Sequence, residues 1–257
     1  YSNMTQDQRT TVIRQWLTVF QAVDPTANQQ SQNNLPQRKQ SKSVESPVNE
    51  VTSIDSRLTA KLQRLGVLTV RDLLYLFPRR HNDYSNVVKI ADLIPGTEQT
   101  VQGTLWDAHR IVLGQNRLKA VEATLGDETG NIRAIWFGRQ YYLERILQKN
   151  TNSTISISGK ADLFKSHMEF QSPDYDLLTT RSAPLNTGRL VPIYPLTEGL
   201  TSRNLRRIIW GALNDWAPFL EDFQPPEVRE RLAFMSLTEA IMQAHFADNR
   251  ESKDEAR

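Results

Sequence analysis

The chain has 257 residues, 39% of them hydrophobic, with 31 Lys and Arg against 29 Asp and Glu and no cysteine. That length allows one large domain or two small ones. The missing cysteines exclude a disulfide scaffold, thiol catalysis and Cys-ligated zinc or iron–sulfur centres, and no apolar run approaches the ~20 residues of a membrane-spanning helix.

Residues 7–23 place Val12, Ile13, Trp16, Leu17 and Phe20 at helical spacing, with Pro25 just beyond. This predicts an N-terminal helix over 1–25, either packed on the body or serving as a partner-binding arm. Residues 26–50 are rich in Gln, Asn and Ser and carry too little apolar surface to offset the entropy of ordering, so they read as a disordered polar linker ending near Val51.

From 51 to 96 the pattern is a helical hairpin. Leu58, Leu62 and Leu65 share one helical face, Gly66 ends that helix, and Thr69 caps a second one running to Phe77. Two helices around a glycine turn resemble a helix-hairpin-helix; with a single glycine, packing is the better reading than backbone binding. Pro78 to His81 then reads as a basic loop.

Residues 97–178 read as strands. Val101, Gly103 and Leu105 alternate on one side of the first, and Val121, Ala123 and Leu125 on one side of the second. Asp127-Glu128-Thr129-Gly130 is a hairpin turn, Ile132, Ala134 and Trp136 make a third alternation, and a helix follows over 139–148. Ile155, Ile157, Gly159, Ala161 and Leu163 give a fourth strand, and Met168–Tyr175 a fifth. Three strands, a helix and two strands is the order of an OB-fold, so the predicted class is α+β: a five-stranded barrel flanked by N- and C-terminal helical segments.

The final stretch, 179–257, reads as an extended strap and helices. Leu205, Ile208, Ile209 and Leu213 form an apolar face capped by Thr201 or Ser202, with Arg203, Arg206 and Arg207 on the other face. His245 reads as a packing or capping residue. Charge is uneven: 179–210 carries five Lys/Arg against one Asp/Glu, and 211–257 five against ten. A basic centre suits phosphate contact.

The densest cluster of aromatics and arginines is 131–147, NIRAIWFGRQYYLERIL. Bases stack on aromatic faces, and guanidinium groups pair with phosphates. Alternation assigns Trp136 to the core; Phe137, Tyr141 and Tyr142 stand with it at the junction of strand and helix. Arg133 and Arg139 are the candidate phosphate partners, competing with a plain surface role, and Lys160 and Lys165 complete the candidate nucleic-acid-binding set. The four histidines lack metal spacing, the serines form no nucleophile elbow, and no G-x-x-x-x-G-K-[ST] occurs; Gly159-Lys160 is followed by Ala161.

Taken together, TVRDLLYLFPRRHNDY, the DETG turn, WFGRQYYLERIL, VPIYPLTEGLTSRNLRRII and SLTEAIMQAHF resemble the N-terminal portion of the RecG family of bacterial ATP-dependent DNA helicases, from about Val51 to Phe246. The resemblance implies a wedge barrel that sits on a branched junction, with Phe137 and Tyr141 stacked where the duplex opens. Gly138 departs from the Asn often found at that place. The resemblance also implies a motor elsewhere in the same polypeptide, which would use ATP and Mg, whereas this piece would bind no cofactor and be inactive alone. It further implies partners in forks and Holliday junctions and a cytoplasmic, nucleoid-associated setting without a membrane. The start at Tyr1 and the charged end SKDEAR fit a piece of a longer chain. A stand-alone OB module for single strands and a protein-interaction barrel stay open on the residues alone. A P-loop in the parent reading frame separates the first, and a flat salt profile of binding the second.

Overall fold

The computed structural model describes residues 42–257 except 115, 116, 139, 166, 179–183, 250 and 252–257. The helix expected over 7–23 and most of the expected linker lie outside the described residues.

The hairpin forms as its capping residues dictate. Helix α1, Ser56–Gln63, starts at Asp55, whose carboxylate accepts from the Leu58 N–H at 2.8 Å. It ends in a Schellman turn: Gly66 takes φ +81°, and its N–H and that of Val67 return to the carbonyls of Gln63 and Leu62. Helix α2, Val70–Leu74, opens on a capping box in which the Thr69 hydroxyl and the Asp72 carboxylate satisfy each other's backbone N–H groups. Backbone donors from Thr69 and Leu68 hold the Asp72 carboxyl below its usual range. The second helix is shorter than expected. Leu73 and Leu74 are buried, whereas Phe77, expected in the same helix, lies beyond its end and is exposed.

The residues after α2 are not a loop. Strand β1, Arg80–Asp83, pairs antiparallel with β8, Leu190–Ile193, in a small two-stranded sheet. That sheet joins the hairpin to the strap. Leu62, Leu73 and Leu74 therefore share one core with Leu205, Ile208 and Leu213 of helix α4, Ser202–Trp216. The boundary expected at Val51 falls inside this body, because Val44 and Val48 are buried in the same core. Local composition around 42–50 is polar, but two valines at the right spacing anchor the segment against α2.

The barrel is built on β2, Glu98–Leu113; β3, Leu118–Asp127; β4, Gly130–Phe137; helix α3, Tyr141–Lys149; β5, Thr154–Phe164; and β6, His167–Gln171. Pairing runs β2–β3–β4 antiparallel, β4–β6 parallel, β6–β5 and β5–β2 antiparallel, so five strands close on themselves in the OB order. Gly103 sits where β2 passes from β5 to β3. A Cβ there would stand 2.6 Å from the Gly126 carbonyl oxygen. The expected fifth strand is broken in two: Pro173 has no N–H to continue the ladder, and β7, Asp174–Leu177, resumes beside β5.

Two short helices, α5 over Pro226–Leu232 and α6 over Leu237–Phe246, complete the helical body. The arginines of α4 do not share one fate. Arg206 is 1% exposed and donates to the Pro192 carbonyl, to Asp174 and to Asn186. Arg203 lies 4.1 Å from the Tyr175 ring centre and pairs with Asp176 at 3.4 Å. Arg207 is exposed. The three arginines expected together on the face away from the apolar one are separated, and Arg206 is buried, because Asp174 and Asp176 of β7 stand against this side of the helix. The arginines clamp the strap to the barrel.

Candidate nucleic-acid interface

Strand β4 leaves the barrel at Phe137. Its inward residues Ile132, Ala134 and Trp136 are in the core, so Phe137 points outward. Trp136 is fixed there by its indole N–H, which donates to the Pro173 carbonyl at 2.8 Å. One more ladder bond, Gly138 N–H to Lys119 at 2.8 Å, precedes the break. Gly138 then takes φ +96°, a conformation that turns the chain sharply into α3.

Helix α3 buries Leu143 and Leu147 against the barrel, which leaves its first turn at the rim. Tyr141 and Tyr142 are exposed there, Tyr142 to 79%. Arg110, reaching over from β2, lies 5.1 Å from the Tyr141 ring centre and donates to Glu144 at 2.9 Å. Two exposed Tyr and a guanidinium thus stand at the end of the barrel where the half-buried Phe137 closes β4. Such a corner offers flat apolar faces beside a cation.

The other expected residues do not gather there. Arg133 lies on the same outward face as Phe137, but between two carboxylates, Glu169 at 3.4 Å and Glu122 at 3.7 Å. Glu169 is nearly buried, so removing its cation would strand a charge. This gives Arg133 a structural task that competes with phosphate binding. Lys160 is exposed on β5, with Asp162 at 4.0 Å. Lys165 occupies the turn between β5 and β6, its ammonium 5.5 Å from the Phe164 ring centre. Because β6 runs parallel to β4 and starts near its beginning, that turn is at the opposite end of the barrel from Phe137. Arg139 lies outside the described residues.

Sequence reading missed Arg110. Nothing in the β2 pattern signals it, since its partners come from a helix more than thirty positions away. It also missed the alternation of charge on the outer face, where His109 stands 2.7 Å from Asp107 and 3.9 Å from Glu122. Among the described residues no group of three or more His, Asp or Glu side chains is placed to hold a metal ion, and no helix is long and apolar enough to cross a membrane.

The profile of the family described as the RecG wedge domain matches residues 48–216. The chain belongs to the RecG wedge-domain family. The matched span takes in the hairpin, the barrel and the clamping helix α4, so the RecG wedge unit is wider than the barrel expected over 97–178. Among relatives named ATP-dependent DNA helicase RecG, that of Synechocystis sp. is 31% identical over 225 residues, covering 83% of this chain and 27% of the relative. That of Thermotoga maritima is 28% identical over 188 residues, 72% of this chain and 23% of the relative. That of Escherichia coli K12 is 28% identical over 201 residues, 77% of this chain and 28% of the relative. The chain therefore spans about a quarter of the length of the curated RecG relatives it matches. A solved structure described as RecG bound to a three-way DNA junction superposes with a TM-score of 0.71 at 20% identity, over 99% of this chain and 34% of that one. The two share a fold.

Proposed function

We propose that this chain is the DNA-binding wedge of an ATP-dependent DNA helicase that binds and remodels branched DNA, such as stalled forks and recombination intermediates, in the bacterial cytoplasm. The observation that carries the reading is the pair of exposed rings, Tyr141 and Tyr142, at the end of the barrel where β4 closes on Phe137, with Arg110 over the Tyr141 ring. A closed barrel clamped to a helical body by Arg206 holds that corner rigidly, which is what a wedge needs in order to separate paired strands. ATP and Mg belong in this reading to the motor of the whole protein, and the wedge supplies no catalytic group. The names of the relatives and the junction-bound structure support the reading.

The test is a titration of a labelled three-way fork and a linear duplex against the chain and its Phe137→Ala/Tyr141→Ala variant. Stacking contributes on the order of 1–3 kcal/mol per base. The variant is expected to lose fork affinity by about tenfold or more, and in the whole helicase to lose unwinding while keeping DNA-stimulated ATPase. Equal fork affinity for the variant and the parent would remove the stacking role. Fork affinity that does not fall with added salt would favour a protein-interaction barrel instead.

A further inference from the structure

The outer face of the barrel carries another aromatic that the rim corner does not use. The register of β2 against β3 slips between Leu105 and Asp107, so β2 holds one extra residue, Trp106. A bulge of this kind re-aims a side chain. Here the indole lies across Gly126 of β3. A Cβ built on Gly126 would stand 2.1 Å from Cζ2 and 2.5 Å from Cη2 of the ring. Only glycine can occupy that position while the ring lies flat. The floor of the ring is thus backbone, and its other side is open: Trp106 is 49% exposed.

The ring borders a shallow hollow of about 460 Å³, with Gln102, Thr104 and Thr154 in its walls and Lys89, Asp127 and Glu128 at its rim. The rim charges are already engaged. Lys89 pairs with Glu128 at 2.6 Å, and the Asp127 carboxylate accepts from the Ile90, Thr129 and Gly130 N–H groups. One cation against two anions gives a phosphate nothing to bind. A flat, neutral ring with polar edges meets an apolar face to stack on and amide and hydroxyl groups to bond with.

The position of Trp106 also matters. Gly126 pairs with Asn131 at the start of β4, and Phe137 lies six positions further along the same strand. At a rise of about 3.3 Å per residue the two aromatics are roughly 20 Å apart. Both are on the outward face, because the intervening Ile132, Ala134 and Trp136 point into the core. We propose that Trp106 is a second base-stacking position, which holds an unpaired nucleobase of a single strand laid along the outer face from Phe137. This rests on the DNA-binding reading above and adds the course of one strand to it.

The experiment uses the full chain with labelled oligodeoxythymidine and with the fork, comparing Trp106→Ala, Trp106→Phe and Phe137→Ala/Tyr141→Ala. Trp106→Ala is expected to weaken single-strand binding about five- to a hundredfold, while Trp106→Phe keeps most of it. Ultraviolet irradiation of the unaltered chain on a strand containing 5-bromodeoxyuridine is expected to crosslink the peptide that contains Trp106. The crosslink decides the matter if Trp106→Ala fails to fold by circular dichroism. Unchanged single-strand affinity in a folded Trp106→Ala, or a crosslink map without Trp106, overturns this site while fork binding that depends on Phe137 and Tyr141 leaves the wedge reading intact. An unaltered chain that binds neither DNA overturns both.

Discussion

The guanidinium of Arg110 lies 5.1 Å from the centre of the Tyr141 ring, and its Nε donates to Glu144, nearly one helical turn further along, at 2.9 Å. One side chain of β2 therefore holds both the ring and the carboxylate of α3's first turn. Arg110→Ala leaves the largely buried Glu144 carboxylate short of its cation, and we expect a loss of about 1–3 kcal/mol in urea denaturation. Arg110→Ala/Glu144→Gln should recover some of that loss. A double variant as unstable as the sum of its single variants would show that the two groups are not coupled.

Arg206 and Arg207 are neighbours in sequence with opposite environments. Arg206→Leu strands Asp174, Asn186 and the Pro192 carbonyl, and should cost about 3–5 kcal/mol. Arg207→Ala, on the exposed face, should stay within about 0.5 kcal/mol. Thermal melts of the two variants give the comparison. Equal shifts would contradict the clamp.

Gly66 offers a backbone test free of clashes with other residues. A Cβ at this position meets nothing within 4 Å, yet φ is +81°. Gly66→Ala should therefore destabilise the chain by about 1–2 kcal/mol through the left-handed conformation alone. A melt identical to the parent would mean that the Schellman turn rearranges at no cost.

His245 should make stability pH-dependent. It is fully buried. Its Nε2–H donates to the Leu74 carbonyl at 2.9 Å, and its Nδ1 accepts from the Tyr194 hydroxyl at 2.8 Å. Burial pushes the Tyr194 hydroxyl well above its usual value, so that proton stays in place. Burial likewise lowers the His245 pKa from 6.5 to about 4; the Leu74 carbonyl opposes this and His81 adds to it. Between these two values the unfolded chain binds a proton that the folded one does not. Stability is then complete above pH 6.5 and falls as pH drops toward 4, by on the order of 3 kcal/mol. Urea midpoints at pH 7 and pH 5 measure the slope, and His245→Gln should flatten it. The capping carboxylate of Asp72, held below its usual value by backbone donors from Thr69 and Leu68, loses its contribution at lower pH still.

Some of this is legible along the chain itself. Gly66 and Thr69 act where their neighbours in sequence said they would, and of Thr201 and Ser202 it is Thr201 that caps α4, since caps and turns are satisfied by backbone groups two to five positions away. The strand order and the inward place of Trp136 followed from alternation with a period of two, which each strand states by itself. Tertiary structure alone decided the remainder. Polarity did not show that Arg206 is buried, because the carboxylates that accept it come from β7. Nor did it show that Val44 and Val48 belong to the helical core. The bulge at Trp106 depends on its register against β3, and the meeting of Arg110 with Tyr141 on packing α3 against the rim. So the residue types of the aromatic and arginine cluster were readable along the chain. Which arginine stands beside a ring, and which is taken by a carboxylate, was decided by contacts between segments thirty or more positions apart, whose pairing no local pattern encodes.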